Sequence, residues 1–220
     1  MKPWKLIATA RTPDGSLLEL LRHDGDYFIS ADGDDLMNSR MHGSEEAMAQ
    51  FACSHLSEGA RVLVGGLGMG YTAAAALAML PPQGTLVVSE FLPEVVAWNR
   101  GPLGSLADHP LRDPRVQIVV DDVADVIRRT VEPFDTILLD VDNGPRAFTD
   151  RGNSWLYTAP GLTAMHHALR PGGRLAIWSG ADEPSFQTRL LAVGFKPRTY
   201  RTTEQPNRES RHVVFVGEKS

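Results

Sequence analysis

The run Val62-Leu-Val-Gly-Gly-Leu-Gly-Met-Gly-Tyr-Thr72 constrains this chain more than any other stretch. An apolar run of strand length meets alternating glycines at 66, 68 and 70, and an alanine-rich segment follows to Leu80. That order reads as a buried strand, a tight turn and a helix opening. Glycine lets the backbone approach a ligand with no Cβ in between. The first N–H groups of the helix lack intrahelical partners and point into the turn. Twenty residues beyond Gly70, Glu90 closes a second apolar run, Thr85-Leu-Val-Val-Ser-Glu90. An acid at that place suits the two hydroxyls of a ribose. Gly66, Gly68, Gly70 and Glu90 together predict a site for an adenosine-type nucleotide. A dinucleotide fingerprint needs a glycine at 71, where Tyr71 stands, so the turn fits S-adenosylmethionine better than NAD.

From Arg61 onward strands and helices alternate. Strands are expected at 61–65, 85–90, 116–120, 134–140, 173–179 and 211–217, with a further run at 195–201. Helices are expected near 71–80, 92–99, 122–130, 157–169 and 183–192, and Pro171-Gly172-Gly173 reads as a helix stop before a strand. The alternation predicts an α/β fold: a Rossmann-like, doubly wound, mostly parallel seven-stranded sheet covered on both faces. Ligands in such sheets sit outside the carboxyl ends of the strands. Before this region, Asp-Gly pairs at 14–15, 24–25 and 32–33 separate strand-like runs. They predict a small N-terminal antiparallel β-meander. Ser44 is expected to cap a helix from about 45 to 57, with Glu45 and Glu46 in its first turn. The expected organisation is a meander over 1–42 and a Rossmann-like nucleotide-binding domain over 43–220.

With 220 residues, 42% of them hydrophobic, the chain can bury a sizeable core. The formal charge is −5 and the Lys and Arg residues are scattered, which argues against nucleic acid as a partner. Cys53 is the single cysteine, so no intrachain disulfide is expected, and its apolar neighbours suit a core position. No signal peptide is read at the N-terminus and no apolar run approaches spanning length, which predicts a cytoplasmic protein with no membrane partner. The histidines show no metal spacing, no Cys/His cluster suits zinc, and no Gly-x-Ser-x-Gly elbow suits a hydrolase.

Two further strand ends carry acids. After the third core strand stand Asp121 and Asp122, where a carboxylate can accept a hydrogen bond from an adenine amino group or cap the next helix. After the fourth comes Asp140-Val-Asp142-Asn143-Gly-Pro. Asp140 and Asp142 share a face if the strand persists, and carboxylates there can bind a cationic amine and take its proton. An Asx-turn is the competing reading. Asn143 adds an amide. The polar loop 146–155 can cover the site, with Trp155 and Tyr157 either lining an acceptor pocket or packing the helix start.

These residues resemble the spermidine synthase family within the class I S-adenosylmethionine-dependent transferase fold, over nearly the whole chain. The resemblance rests on the meander, Met37-Asn-Ser-Arg-Met-His-Gly-Ser-Glu-Glu46, Gly-Gly-Leu-Gly-Met-Gly at 65–70, Ser-Glu90, Asp122, Leu-Leu-Asp140-Val-Asp142-Asn-Gly-Pro and Leu-Arg-Pro-Gly-Gly at 169–173. It implies that Glu90 holds the ribose, Asp122 the adenine, and Asp140 or Asp142 an amine acceptor. It also implies a homodimer acting on a small-molecule acceptor, with S-adenosylmethionine or its decarboxylated form as co-substrate and no metal. The chain departs from the family at three places. Gly68 stands where aminopropyl-transferring members carry an Asp, the acids at 140 and 142 are spaced differently, and the Tyr-His-Glu triplet near 45 is absent.

The favoured reading is an enzyme that transfers a methyl group from S-adenosylmethionine to a small polar or amine acceptor. Gly68 leads there, because a donor with an ammonium and no carboxylate wants an acid in the turn. The alternatives are aminopropyl transfer from decarboxylated S-adenosylmethionine to a polyamine, and a nucleotide-binding homologue without turnover.

Overall fold

The computed structural model describes residues 3–13, 15–141, 153–202 and 212–220. Four strands come first: β1 (Lys5–Arg11), β2 (Leu17–His23), β3 (Asp26–Ala31) and β4 (Asp34–Asn38). They pair antiparallel in chain order. The β2–β3 and β3–β4 turns are Asp24-Gly25 and Asp32-Gly33, each with positive φ at both residues. That is the type I′ geometry whose twist matches a hairpin.

A helix α1 (Gly43–Cys53) leads into the second sheet. It begins two residues before its expected start and ends four before its expected end. His42, not Ser44, stands at the cap position, and it makes no side-chain cap. The Ser44 hydroxyl donates instead to the Glu45 carboxylate at 2.6 Å.

The remaining elements alternate: β5 (Arg61–Gly65), α2 (Tyr71–Met79), β6 (Thr85–Glu90), α3 (Pro93–Arg100), β7 (Val116–Val120), α4 (Val123–Arg129), β8 (Phe134–Leu139), α5 (Ala159–Ala168), β9 (Leu169–Ser179), α6 (Pro184–Ala192), β10 (Phe195–Thr202) and β11 (His212–Lys219). Short 3-10 turns lie at Gly104–Ala107, Pro110–Arg112 and Asn153–Tyr157. The last of these occupies the place expected for the start of α5. Strand β9 starts at Leu169, paired with Phe134, so the Pro-Gly-Gly segment lies within it and not ahead of it.

The sheet order is β10-β11-β9-β8-β5-β6-β7. Strands β5 to β9 run parallel, while β11 pairs antiparallel with both β9 and β10. Because β5 has β6 on one side and β8 on the other, the strand order reverses there. A crevice opens at the carboxyl ends of such strands.

The core follows the period of two along each strand. Val62, Val64 and Leu138 join Met48, Ala73, Leu86 and the meander residues Leu20 and Ile29 on one face. Leu63, Ile137 and Leu139 join Leu162, Phe186 and Phe215 on the other. Strands covered on both faces read as continuous apolar runs, as β5 and β8 do. Cys53 lies in the first cluster, and burial pushes its thiol up to about 12.

Candidate active site

The turn after β5 is held from three sides. Gly66 has φ +86°, and a Cβ there would lie 2.3 Å from the Asp140 carbonyl oxygen. Only glycine allows that approach between the β5 and β8 ends. Gly68 has φ +49°, and its carbonyl accepts from Asn99 Nδ2 at 2.9 Å. The third support is Glu90. Its Oε2 accepts the Leu67 N–H at 3.0 Å and its Oε1 accepts the Leu92 N–H at 2.9 Å. Burial pushes the Glu90 carboxyl above its usual range, and backbone N–H donors, Leu92 and Leu67 foremost, oppose that shift. Each carboxylate oxygen has a second lone pair, so a braced Glu90 can still accept a pair of ribose hydroxyls. Phe91 follows it with its ring half exposed at the strand end.

A cavity of about 370 Å³ opens beside this turn. The meander gives Leu36, Met37 and Asn38 to its wall, and the turn and α2 give Gly68, Tyr71 and Thr72. Ser44 and Glu45 come from α1, Asp140 and Val141 from the end of β8, Trp178 from β9 and His212 from β11. The Met37 sulfur lies 3.2 Å from the place of a Cβ on Gly68. Tyr71 stacks on His42 with centroids 4.3 Å apart, and its hydroxyl donates to the Ser39 carbonyl at 3.1 Å. Its phenol is pushed up in pKa, first by burial and then by Glu45, Asp26 and Glu46, so the cavity mouth is acidic.

Asp140 is the half-buried acid on the wall of this cavity. Its backbone N–H donates to the Gly65 carbonyl at 3.0 Å, and its Oδ2 accepts the Thr72 hydroxyl at 2.7 Å. Burial raises the pKa of the carboxyl, and the Thr72 hydrogen bond opposes the rise. No Lys or Arg lines the cavity among the described residues. A carboxylate so placed lacks a counter-charge, and a cationic amine would supply one.

The other sequence-predicted residues fall in different places. Asp142 and Asn143 lie outside the described residues. Asp122 is the N-cap of α4, its Oδ1 accepting the Ala124 N–H at 2.7 Å. Asp121 turns outward to an ion pair with Arg129, which lowers its pKa, and one of its oxygens accepts the Asp122 N–H. Trp155 and Tyr157 do not line the cavity. The Arg128 guanidinium lies 3.7 Å from the Trp155 ring centroid, and Tyr157 is 6% exposed against Phe186. Their expected place in an acceptor pocket gives way to core packing, because the 3-10 turn carries them under α4 and α5.

Sequence reasoning missed Thr72, Glu45, Trp178 and His212 as cavity residues. Thr72 had a signal, a lone polar side chain in an alanine helix. Trp178 ends a strand on the ligand side. His212 becomes a wall residue only through the β11–β9 pairing. Among the described residues, no three His, Cys, Asp or Glu side chains gather as metal ligands, and no helix is long and apolar enough to cross a membrane.

No protein-family model matches the chain, and no curated protein sequence does. Solved structures do. A spermidine synthase in complex with the transition-state analogue AdoDATO matches with TM-score 0.81 at 20% identity, over 98% of this chain and 74% of that one. The spermidine synthase from Thermotoga maritima gives 0.75 at 18% identity, over 98% and 72%. A probable spermidine synthase from Corynebacterium glutamicum gives 0.67 at 21% identity, over 97% and 80%. The match spans nearly the whole chain, which has the spermidine synthase-like fold with its Rossmann-like sheet.

Proposed function

We propose that this protein is a transferase that moves an alkyl group from the sulfonium of an S-adenosylmethionine-type donor to a small amine, with aminopropyl transfer as the leading form. The observation that carries the reading is Asp140, a half-buried carboxylate in a cavity between the meander and the glycine turn that no Lys or Arg of the described residues lines. Likeness to spermidine synthases over 98% of the chain favours aminopropyl over methyl transfer.

The residues fit such a donor. Gly66, Gly68 and Gly70 let the backbone approach it, and Glu90 offers lone pairs to its ribose. Asp122 keeps Oδ2 for an adenine amino group while Oδ1 caps α4. The acceptor enters as an ammonium and passes one proton to Asp140. Its nitrogen then gives the freed lone pair to the carbon bonded to sulfur. The C–N bond forms, the C–S bond breaks, and its electron pair stays on sulfur as a neutral thioether. Asp140 then sheds its proton to water, and the product leaves as the alkylated ammonium. A raised pKa suits Asp140 to this role, since it narrows the gap to the amine. Holding the two reactants in line supplies several kcal/mol of the barrier reduction.

Methyl transfer remains the second reading, on one specific observation. No acid stands at Gly68, and the Met37 sulfur fills that side of the turn. A donor that keeps its carboxylate loses nothing there. Calorimetry with S-adenosylmethionine and its decarboxylated form, followed by mass spectrometry of amines incubated with each, tests both. Tighter binding of the decarboxylated donor and an aminopropylated amine support the leading form. A methylated amine supports the second, and binding of neither donor refutes both.

A further inference from the structure

We propose that Thr72 is a positioning residue for Asp140: its hydroxyl holds Oδ2 and thereby presents Oδ1 to the acceptor amine. The inference rests on the reading of Asp140 as the proton acceptor.

Thr72 is the second residue of α2, Tyr-Thr-Ala-Ala-Ala-Ala-Leu-Ala-Met, and is 2% exposed. Threonine in an alanine helix lowers helix propensity, so packing alone does not call for it. It does not cap the helix either: Gly70 holds the cap position with φ +90°, and no side chain caps there. Among the described residues the hydroxyl donates to Asp140 Oδ2, at 2.7 Å.

The Asp140 backbone has little freedom of its own. Its N–H is tied to Gly65, and its carbonyl abuts Gly66. What remains free is rotation of the carboxylate about its side-chain torsions. Thr72 removes that rotation. With Oδ2 engaged, Oδ1 accepts nothing from the described residues and is left for a ligand of the cavity that Asp140 lines. The titratable groups on the same cavity are Glu45 from α1, Tyr71 from α2 and His212 from β11. Burial and the Glu45 charge raise the pKa of Tyr71 and so hold its phenol neutral. The Thr72 hydroxyl is the donor that favours the ionised form.

Thr72→Val is nearly isosteric and removes only the O–H. Thr72→Ser keeps it. Selective ¹³C-carboxyl NMR follows the Asp140 titration in each, with the signal assigned by its loss in Asp140→Asn. The titration is expected to move to higher pH in Thr72→Val and to return in Thr72→Ser. With decarboxylated S-adenosylmethionine and 1,4-diaminobutane as probes, Thr72→Val should lose about tenfold or more in kcat/KM. The acid limb of its pH profile should move up, while donor affinity stays within about threefold. An unmoved titration in a folded Thr72→Val protein overturns the proposal, as does a Thr72→Ser protein that behaves like Thr72→Val. Because the titration needs no turnover, it is separate from the functional reading, which fails instead if Asp140→Asn keeps the wild-type rate.

Discussion

Met37 places its sulfur 3.2 Å from the point where a side chain at Gly68 would begin, so a meander residue and the glycine turn share one wall of the cavity. The contact gives a direct test of donor choice. Gly68 has φ +49°, a conformation in which Asp is among the better tolerated L-residues. A thioether with three torsions can step aside. Gly68→Asp is therefore expected to fold and to gain about tenfold in affinity for decarboxylated S-adenosylmethionine relative to S-adenosylmethionine, as one added ionic hydrogen bond would give. Calorimetry with both donors reads the ratio, and an unchanged ratio would place the donor tail away from this wall.

Glu90 braces the turn and, in the proposed function, also holds the ribose, so its loss should appear in two measurements. Glu90→Ala is expected to weaken donor binding about tenfold or more, since bonds to a charged group are worth about 1.5–3 kcal/mol. It should also lower Tm, because the Leu67 and Leu92 N–H groups lose their acceptor. The raised Glu90 carboxyl adds a pH dependence. Ribose hydroxyls donate best to the ionised form, so donor affinity should climb as pH rises through the raised value. Full donor affinity in Glu90→Ala would remove this residue from the ribose site.

Asp140 sets activity against stability. Its folded pKa is raised, so the native state binds the proton more tightly than the unfolded chain does. Stability from this group is present at low pH and is lost as pH rises from the ordinary aspartate range through the raised value. Asp140→Asn should thus raise Tm near neutral pH more than in acid, while removing about 10²- to 10⁴-fold of the turnover. Thermal melts across pH check the first part and rate measurements the second. A variant destabilised at every pH would mean that the carboxylate has a stabilising partner besides Thr72.

Asp121 and Asp122 should separate cleanly. Asp122→Ala removes the α4 N-cap and is expected to cost about 0.5–2 kcal/mol of stability, read by denaturant titration. If Oδ2 also serves the adenine, donor affinity falls with it. Asp121→Ala loses an exposed pairing with Arg129 and the bond from the Asp122 N–H, and donor affinity should stay unchanged. A large affinity loss in Asp121→Ala alone would exchange the two roles.

The parallel sheet and the meander were legible because each rests on local chemistry. Asp-Gly pairs write hairpin turns, and apolar runs between glycine and acid write strand ends. The glycine turn and the acid that braces it were legible for the same reason, since Gly66 and Glu90 sit in one βαβ unit. The cavity wall was not. Glu45 looked like a first-turn helix acid, Trp178 like a strand residue, and Met37 like part of a junction, because their convergence depends on pairings across long stretches of chain. For Trp155 and Tyr157 the sequence left a pocket and a core place open, and a 3-10 turn, which no periodicity announced, packs Tyr157 into the core and Trp155 against it. The order of the two transfer readings also changed. Gly68 alone put methyl transfer first, and the likeness of the whole fold to spermidine synthases now puts aminopropyl transfer ahead.

The cavity wall draws on residues from Leu36 to His212, on the meander's last strand and the sheet's last strand alike. Neither strand is central: β4 edges the small sheet, and β11 lies one place from the edge of the large one. The edge strand β4, with its residues mostly exposed, opens locally at lower free energy than a core strand such as β5. A molecule seated between them has to hold both closed, and binding stabilises whatever must be folded for it to bind. Occupancy of this cavity is thus a clasp between the two ends of the chain. Its signature is slower amide exchange in β4 and β11 together, with β5 unaffected below the limit of global unfolding.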